Sequence, residues 1–173
     1  MASRKTAAPL VSVCIVTYNS ASDIEDCLHA VLRQSFPLAS VVVVDNASTD
    51  DTREVLARFG ERIHIVLNER NNGFAGGQNQ AIAASGPSDY VLVLNPDVSL
   101  EPDYVAEIVA AMERDPRIGS ATGMLVRADR PEIMDSAGLT LRPDRNAVDL
   151  AAGEPVADWT SPREIFGVSG AAA

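Results

Sequence analysis

Lysine is almost missing from this chain. Lys5 is the only one beside thirteen arginines, and these 14 basic residues face 24 acidic ones, for a net charge of −10. No basic run occurs, which argues against nucleic acid, whose binding is driven by phosphate neutralisation. It argues equally against an anionic membrane surface. A phosphate-bearing ligand would need a metal ion or local backbone N–H groups to enter an acidic cleft. Cysteine is scarce too: Cys14 and Cys27 lie in apolar patterns at a spacing that matches no zinc motif, and read as small core residues. No stretch reaches the roughly 18 apolar residues of a membrane span. Behind Met1–Pro9 there is no apolar run long enough for a signal peptide. The expected location is the cytoplasm, or the inner face of the membrane.

What the chain does have is apolar mass, 46 % of 173 residues, enough to bury a core without disulfides or metal. A flexible segment is expected over residues 1–9 and one domain over 10–173. Val11 to Val16 and Val41 to Val44 read as buried strands, and Ile63 to Leu67 and Tyr90 to Leu94 as a third and fourth. Between the first two, Ile24, Cys27, Leu28, Val31 and Leu32 share one helix face. Ser22 is the expected N-cap in a capping box with Glu25. Ser48 or Thr49 is expected to cap a second helix ending at Gly60. Pro102 suits the opening of a helix with Val105, Ile108, Val109 and Met112 on one face. The order βαβαβαβα predicts an α/β fold with an open, doubly wound, mostly parallel sheet.

After Ile118 the periodicity weakens. Segments 118–127 and 133–142 are strand-like, 143–163 reads as a long loop, and 165–169 as a short extended piece. Gly170-Ala171-Ala172-Ala173 looks like the first turn of a further helix, which suggests a truncated chain. Trp159 reads equally as a lid or as an anchor. His29 and His64 read as structural.

In such a sheet, ligands bind beyond the carboxyl ends of the strands. Thr17-Tyr18-Asn19 follow the first strand and Asp45-Asn46-Ala47-Ser48 the second. Asn68 and Asn71 to Gly77 follow the third, and Asn95-Pro96-Asp97 the fourth. Each group alone reads as turn chemistry, and Gly76-Gly77 as a place where a helix approaches the sheet. All four at one edge predict a convergent site. Asp45 ends a run of four valines, where its carboxylate can accept from a ring N–H or from sugar hydroxyls. Asp97 is placed to hold Mg²⁺ or Mn²⁺ with waters and phosphate oxygens completing the shell. The glycines lack the order of a dinucleotide fingerprint or a P-loop.

Val11 to Asn19, Val44 to Asp50, Asn72 to Asn79 and Leu94 to Asp97 together resemble the inverting family 2 glycosyltransferases of GT-A fold, closest to the bacterial rhamnosyltransferase-like branch. The resemblance covers roughly residues 10–170. It implies transfer of a sugar from a nucleoside-diphosphate sugar, linked to dTDP or UDP, to a hydroxyl on a glycan or lipid-linked acceptor, in cell-surface polysaccharide or glycan synthesis. It implies that Thr17, Tyr18 and Asn19 lie along the nucleoside, that Asp45 recognises the pyrimidine, and that Asn72 and Gly73 close over the nucleotide. Asn95 and Asp97 match the D-x-D-type position, with Asp97 on the metal and Asn95 in place of the first Asp. The family's catalytic base, in a Glu-Asp-type motif, is expected beyond Ala173. By that expectation these 173 residues carry the donor half and do not transfer sugar alone. The rival readings are a nucleotidyltransferase that makes nucleotide sugars, which would want a Gly-rich, Lys- or Arg-bearing loop after the first strand, and a non-catalytic nucleotide-binding remnant.

Overall fold

The structure is a computed structural model, and it describes residues 8–173. The flexible segment expected over residues 1–9 therefore falls almost wholly outside the described residues. Contacts divide the chain into two compact units, the first ending at Val105 and the second running from Ala106 to Ala173.

The first unit is an α/β layer fold. Strands β1 (Val11–Thr17), β2 (Ser40–Asp45), β3 (His64–Leu67) and β4 (Tyr90–Leu94) form one parallel sheet in the order β3-β2-β1-β4. Helices α1 (Ile24–Leu32), α2 (Thr52–Ala57) and α3 (Gly73–Ala84) connect them. The chain runs from β1 outward through β2 to β3, then crosses to the other side of β1 for β4. Right-handed crossovers place α1 and α2 on one face and α3 on the other. Ala81 and Ala84 of α3 pack against Cys14, Val16, Val42, Val44, Val66 and Val91. The alternate row, Val13, Ile15, Val41 and Val43, is equally buried. Covered faces on both sides are what unbroken apolar strands require.

Gly77 explains the glycine pair in α3. A Cβ there would sit 2.7 Å from Val16 Cγ1 and 3.1 Å from Asn46 Nδ2, so the helix lies on the sheet only because that position has no side chain. Gly77→Ala is expected to destabilise the protein by about 1–3 kcal/mol, the usual cost of overpacking. A chemical denaturation midpoint unchanged from wild type would refute it.

Two expected caps are corrected. The N-cap of α1 is Asp23, with no side-chain cap, and Ser22 Oγ instead donates to Asp23 Oδ2 at 2.5 Å. The carbonyl of Ser20 already takes the Asp23 and Ile24 N–H groups, so a turn does the work of the capping box. The N-cap of α2 is Asp51, because Ser48 and Thr49 are engaged with Asn19. That helix ends at Ala57, and Gly60 opens a single 3₁₀ turn, Gly60–Arg62.

Both cysteines are free and buried, as expected. Burial pushes the Cys14 thiol up to about 11, partly offset by a hydrogen bond with Ser85. Burial, then the charge of Asp97, pushes Cys27 up to about 12. Reactivity belongs to the thiolate, so iodoacetamide at pH 8 is expected to leave both unmodified in the folded protein. Rapid labelling of either, read by mass spectrometry before unfolding, would contradict this.

Helix α4 (Tyr104–Arg114) spans the boundary between the units, with Val105 and Val109 buried and Ile108 and Met112 half-buried. The second unit then holds two antiparallel pairs, β5 (Leu125–Arg127) with β6 (Arg130–Ser136) and β7 (Leu139–Leu141) with β8 (Ala147–Asp149). The segment 143–163 is thus more ordered than its sequence suggests, with β8 and a 3₁₀ turn, Val156–Asp158. Gly167 bridges to Leu139. Trp159 is anchored: its Nε1 donates to Glu154 at 2.7 Å and the Arg163 guanidinium stacks on its ring at 3.9 Å. The alanine tail is a turn, not a helix, and the Ala172 carbonyl accepts from Thr122 Oγ1 at 2.7 Å. No helix among the described residues is long and apolar enough to cross a membrane.

Candidate active site

The order of strands reverses at β1 and β4, so the switch-point crevice opens beyond Thr17 and Leu94. Thr17 is the register partner of Asp45, and Asp45 that of Leu67. Thr17 and Asp45 therefore stand side by side at the carboxyl edge. They share the row of Val13, Ile15 and Val43, on the face of α1 and α2.

Asp45 is completely buried. Its Oδ2 accepts from Arg53 Nε at 2.6 Å and from the Ser48 N–H at 3.2 Å. Its Oδ1 has no hydrogen-bond partner, and neither has the buried Thr17 Oγ1. Arg53 also donates from Nη2 to the Asn68 carbonyl at 2.8 Å, tying α2 to the chain leaving β3. Charge and burial together make this the most strongly built polar spot of the edge.

On the opposite face Asn46, also buried, joins three segments. Its Nδ2 donates to the Gly73 carbonyl at 3.0 Å, and its Oδ1 accepts from Asn68 Nδ2 at 2.8 Å and from the Asn72 N–H at 3.4 Å. Asn68 is held in turn by Gln80 at 2.8 Å. Asn72 and Gly73 are exposed at the start of α3, where Gly73 has φ +74° and its N–H bonds Asn71 Oδ1. The residues expected as a loop over the nucleotide are thus largely the first turns of a helix.

The loop after β1 is stitched to the loop after β2. The N–H groups of Asn19, Ser20 and Ala21 donate to Ser48 Oγ, Thr52 Oγ1 and Asp50 Oδ2. Asn19 Oδ1 accepts the Thr49 N–H at 2.8 Å. Asn19 and Ala47 have φ of +53° and +65°, strained for residues with a Cβ. The Thr52 hydroxyl, at 2.5 Å, and neighbouring N–H groups hold the Asp50 carboxyl below the usual carboxylate range. Asn19 is thereby a builder of the loop, whereas Tyr18 beside it is half exposed and free to face a ligand.

Beyond β4, Asn95 is half-buried and Asp97 exposed. The Asn95 carbonyl accepts from Cys27 Sγ at 3.6 Å, which seats this turn against α1. Among the described residues no group of three or more His, Cys, Asp or Glu is placed to hold a metal ion. A single exposed carboxylate is nonetheless the protein donor that fits Mg²⁺ or Mn²⁺ when phosphate oxygens and water complete the shell. In the second unit Asp129 pairs with Arg127 and Arg130, and Asp144 bonds Asn146. No carboxylate is assigned as catalytic base.

Sequence reasoning passed over Arg53 and treated Asn46 as turn chemistry. The available signal was an Arg in the first turn of a helix, eight residues after a carboxylate that ends a dry strand.

Comparison with known proteins agrees with this architecture. The model of glycosyl transferase family 2 matches residues 12–142. TuaG of Bacillus subtilis (strain 168), named for teichuronic acid biosynthesis, is 39% identical over 110 residues, covering 61% of this chain and 43% of TuaG. The poly-beta-1,6-N-acetyl-D-glucosamine synthase of Staphylococcus epidermidis is 25% identical over 115 residues, 65% of this chain and 28% of that protein. Among solved structures, the mannosyltransferase PcManGT from Pyrobaculum calidifontis, in complex with GDP-Man and Mn²⁺, superposes with a TM-score of 0.64 at 28% identity, over 79% of this chain and 42% of that one. A fragment of TarS from S. aureus in complex with UDP gives a TM-score of 0.55 at 27% identity, over 61% of this chain and 32% of that one. The chain thus spans less than half the length of each of these proteins.

Proposed function

Because the chain belongs to glycosyl transferase family 2, we propose that its carboxyl sheet edge binds the nucleoside diphosphate of a UDP- or dTDP-linked sugar, for inverting transfer to a hydroxyl on a glycan or lipid-linked acceptor. The process served is cell-surface polysaccharide synthesis, in keeping with the name of TuaG. Placement nearest the rhamnosyltransferase-like branch rests on the four sequence motifs alone. The observation that carries the reading is Asp45: a buried carboxylate with one oxygen left unpaired at the switch point. An unpaired buried acceptor costs about 1–3 kcal/mol, and a ring N–H removes that cost. Tyr18 lies along the nucleoside, and the start of α3 at Asn72 and Gly73 borders it.

Asp97 would hold Mg²⁺ or Mn²⁺, with Asn95 beside it. The ion supplies Lewis-acid stabilisation of the diphosphate leaving group. The chain's own contribution is to bind and orient the donor, so that attack by the acceptor oxygen at the anomeric carbon breaks the bond to the diphosphate from the opposite side. A nucleotidyltransferase is disfavoured by the loop after β1: the Asn19, Ser20 and Ala21 N–H groups that would cradle phosphates are bonded to side chains of the β2–α2 loop.

The test is calorimetric titration of UDP with and without Mn²⁺. Wild type is expected to bind more tightly with the metal, and Asp97→Ala to bind equally with or without it. An Asp97→Ala protein that keeps the full metal dependence would refute the assignment.

A further inference from the structure

Thr17 Oγ1 and Asp45 Oδ1 are buried polar atoms with no partner, and they belong to register partners on adjacent strands. Side chains of register partners in a parallel sheet point to the same face. The pair thus offers a hydroxyl that can donate next to a carboxylate oxygen that can only accept. The carboxylate is also restricted. Its other oxygen, Oδ2, is taken by Arg53 Nε at 2.6 Å and by the Ser48 N–H. Arg53 cannot rotate away freely, because its Nη2 is fixed on the Asn68 carbonyl.

We propose that Thr17 and Asp45 read one edge of a pyrimidine dione, Thr17 donating to a ring carbonyl and Asp45 Oδ1 accepting the adjacent ring N–H, with Arg53 as the positioning residue that leaves only that oxygen available. This rests on the nucleotide-donor reading above and names the base. Uracil and thymine present a carbonyl beside one N–H and satisfy both atoms. Cytosine presents a bare ring nitrogen toward the carboxylate, acceptor against acceptor. Guanine presents its carbonyl and ring N–H but adds an amino group beside them. That amine needs a second acceptor, which Arg53 has occupied. Both atoms are closed to water, so the loops after β1 and β2 part to admit the base. Positive φ at Asn19 and Ala47 marks where those loops are held under strain.

The experiment is calorimetric titration of the chain with UDP, dTDP, CDP, GDP and N3-methyl-UDP in the presence of Mn²⁺. UDP and dTDP are expected to bind alike, and the other three at least about tenfold more weakly, the effect of one charged hydrogen bond lost. Arg53→Gln is expected to narrow the UDP-over-GDP preference at least fivefold, by freeing Oδ2, while the UDP-over-CDP preference stays. Arg53→Lys is expected to restore the first preference. A merely structural Arg53 would weaken all nucleotides together. If wild type binds GDP or N3-methyl-UDP as tightly as UDP, the base-reading inference is wrong and the donor reading stands; those two titrations need no variant. If no nucleoside diphosphate binds, the donor reading itself fails.

Discussion

Asp45→Ala is expected to weaken UDP binding about 10- to 100-fold, while the gain from Mn²⁺ on the residual binding is retained. The size follows from a hydrogen bond to a charged acceptor, about 1.5–3 kcal/mol. The sign follows from geometry. Asp45 is buried with Oδ1 unpaired, whereas Asp97 is the exposed carboxylate beyond β4. The two are therefore separable, one acting on the base and the other on the diphosphate. Arg53 is 41% exposed, so once its partner is lost water can solvate the guanidinium, and the mutant is expected to fold. Calorimetry beside circular dichroism separates the binding loss from unfolding. A mutant that loses its metal dependence but keeps its nucleoside preference would reverse the roles of Asp45 and Asp97.

Asn46→Ala is expected to cost about 2–4 kcal/mol of folding stability, from one or two polar groups left without partners. Its amide alone links β2 to Asn68, Asn72 and Gly73. Removing it strands the Gly73 carbonyl and the Asn68 amide beneath α3. Asn46→Asp tests the same point differently: it keeps the acceptor but loses the donor to Gly73, so it should fall between wild type and Ala. For a chain of this length, 2–4 kcal/mol corresponds to a melting temperature lower by roughly 4–16 °C. A melting temperature within a degree of wild type for Asn46→Ala would show that the bridge is replaced by water.

Much of this was legible beforehand, for physical reasons that differ by element. The four parallel strands announce themselves because both faces are covered, so no polar residue interrupts Val41 to Val44 or Tyr90 to Leu94. The carboxyl edge was legible because each strand ends abruptly in polar residues. What was not legible is partnership across loops. Ser22, Ser48 and Thr49 have the composition of caps, but tertiary bonds to Asp23 and Asn19 decide what they do. Asn72 to Gly77 have turn composition, yet they open a helix because Asn46 fixes its first residues and Gly77 lets it meet Val16. Arg53 looked like surface charge on a short helix. Only the fold brings it over the end of β2.

The central claim is that the edge beyond Thr17, Asp45 and Asp97 binds a nucleoside diphosphate. The most direct measurement is the melting temperature of the chain with UDP and Mn²⁺, against Mn²⁺ alone and against adenosine diphosphate with Mn²⁺. A ligand that binds only the folded state at about 100 times its Kd adds about 2.7 kcal/mol, which for this length is roughly 5–11 °C. The account predicts that rise for UDP with Mn²⁺, and a much smaller one for the adenine nucleotide, whose amino group and bare ring nitrogen oppose the Thr17–Asp45 pair. Equal shifts for both nucleotides, or none for either at millimolar concentration, would contradict it.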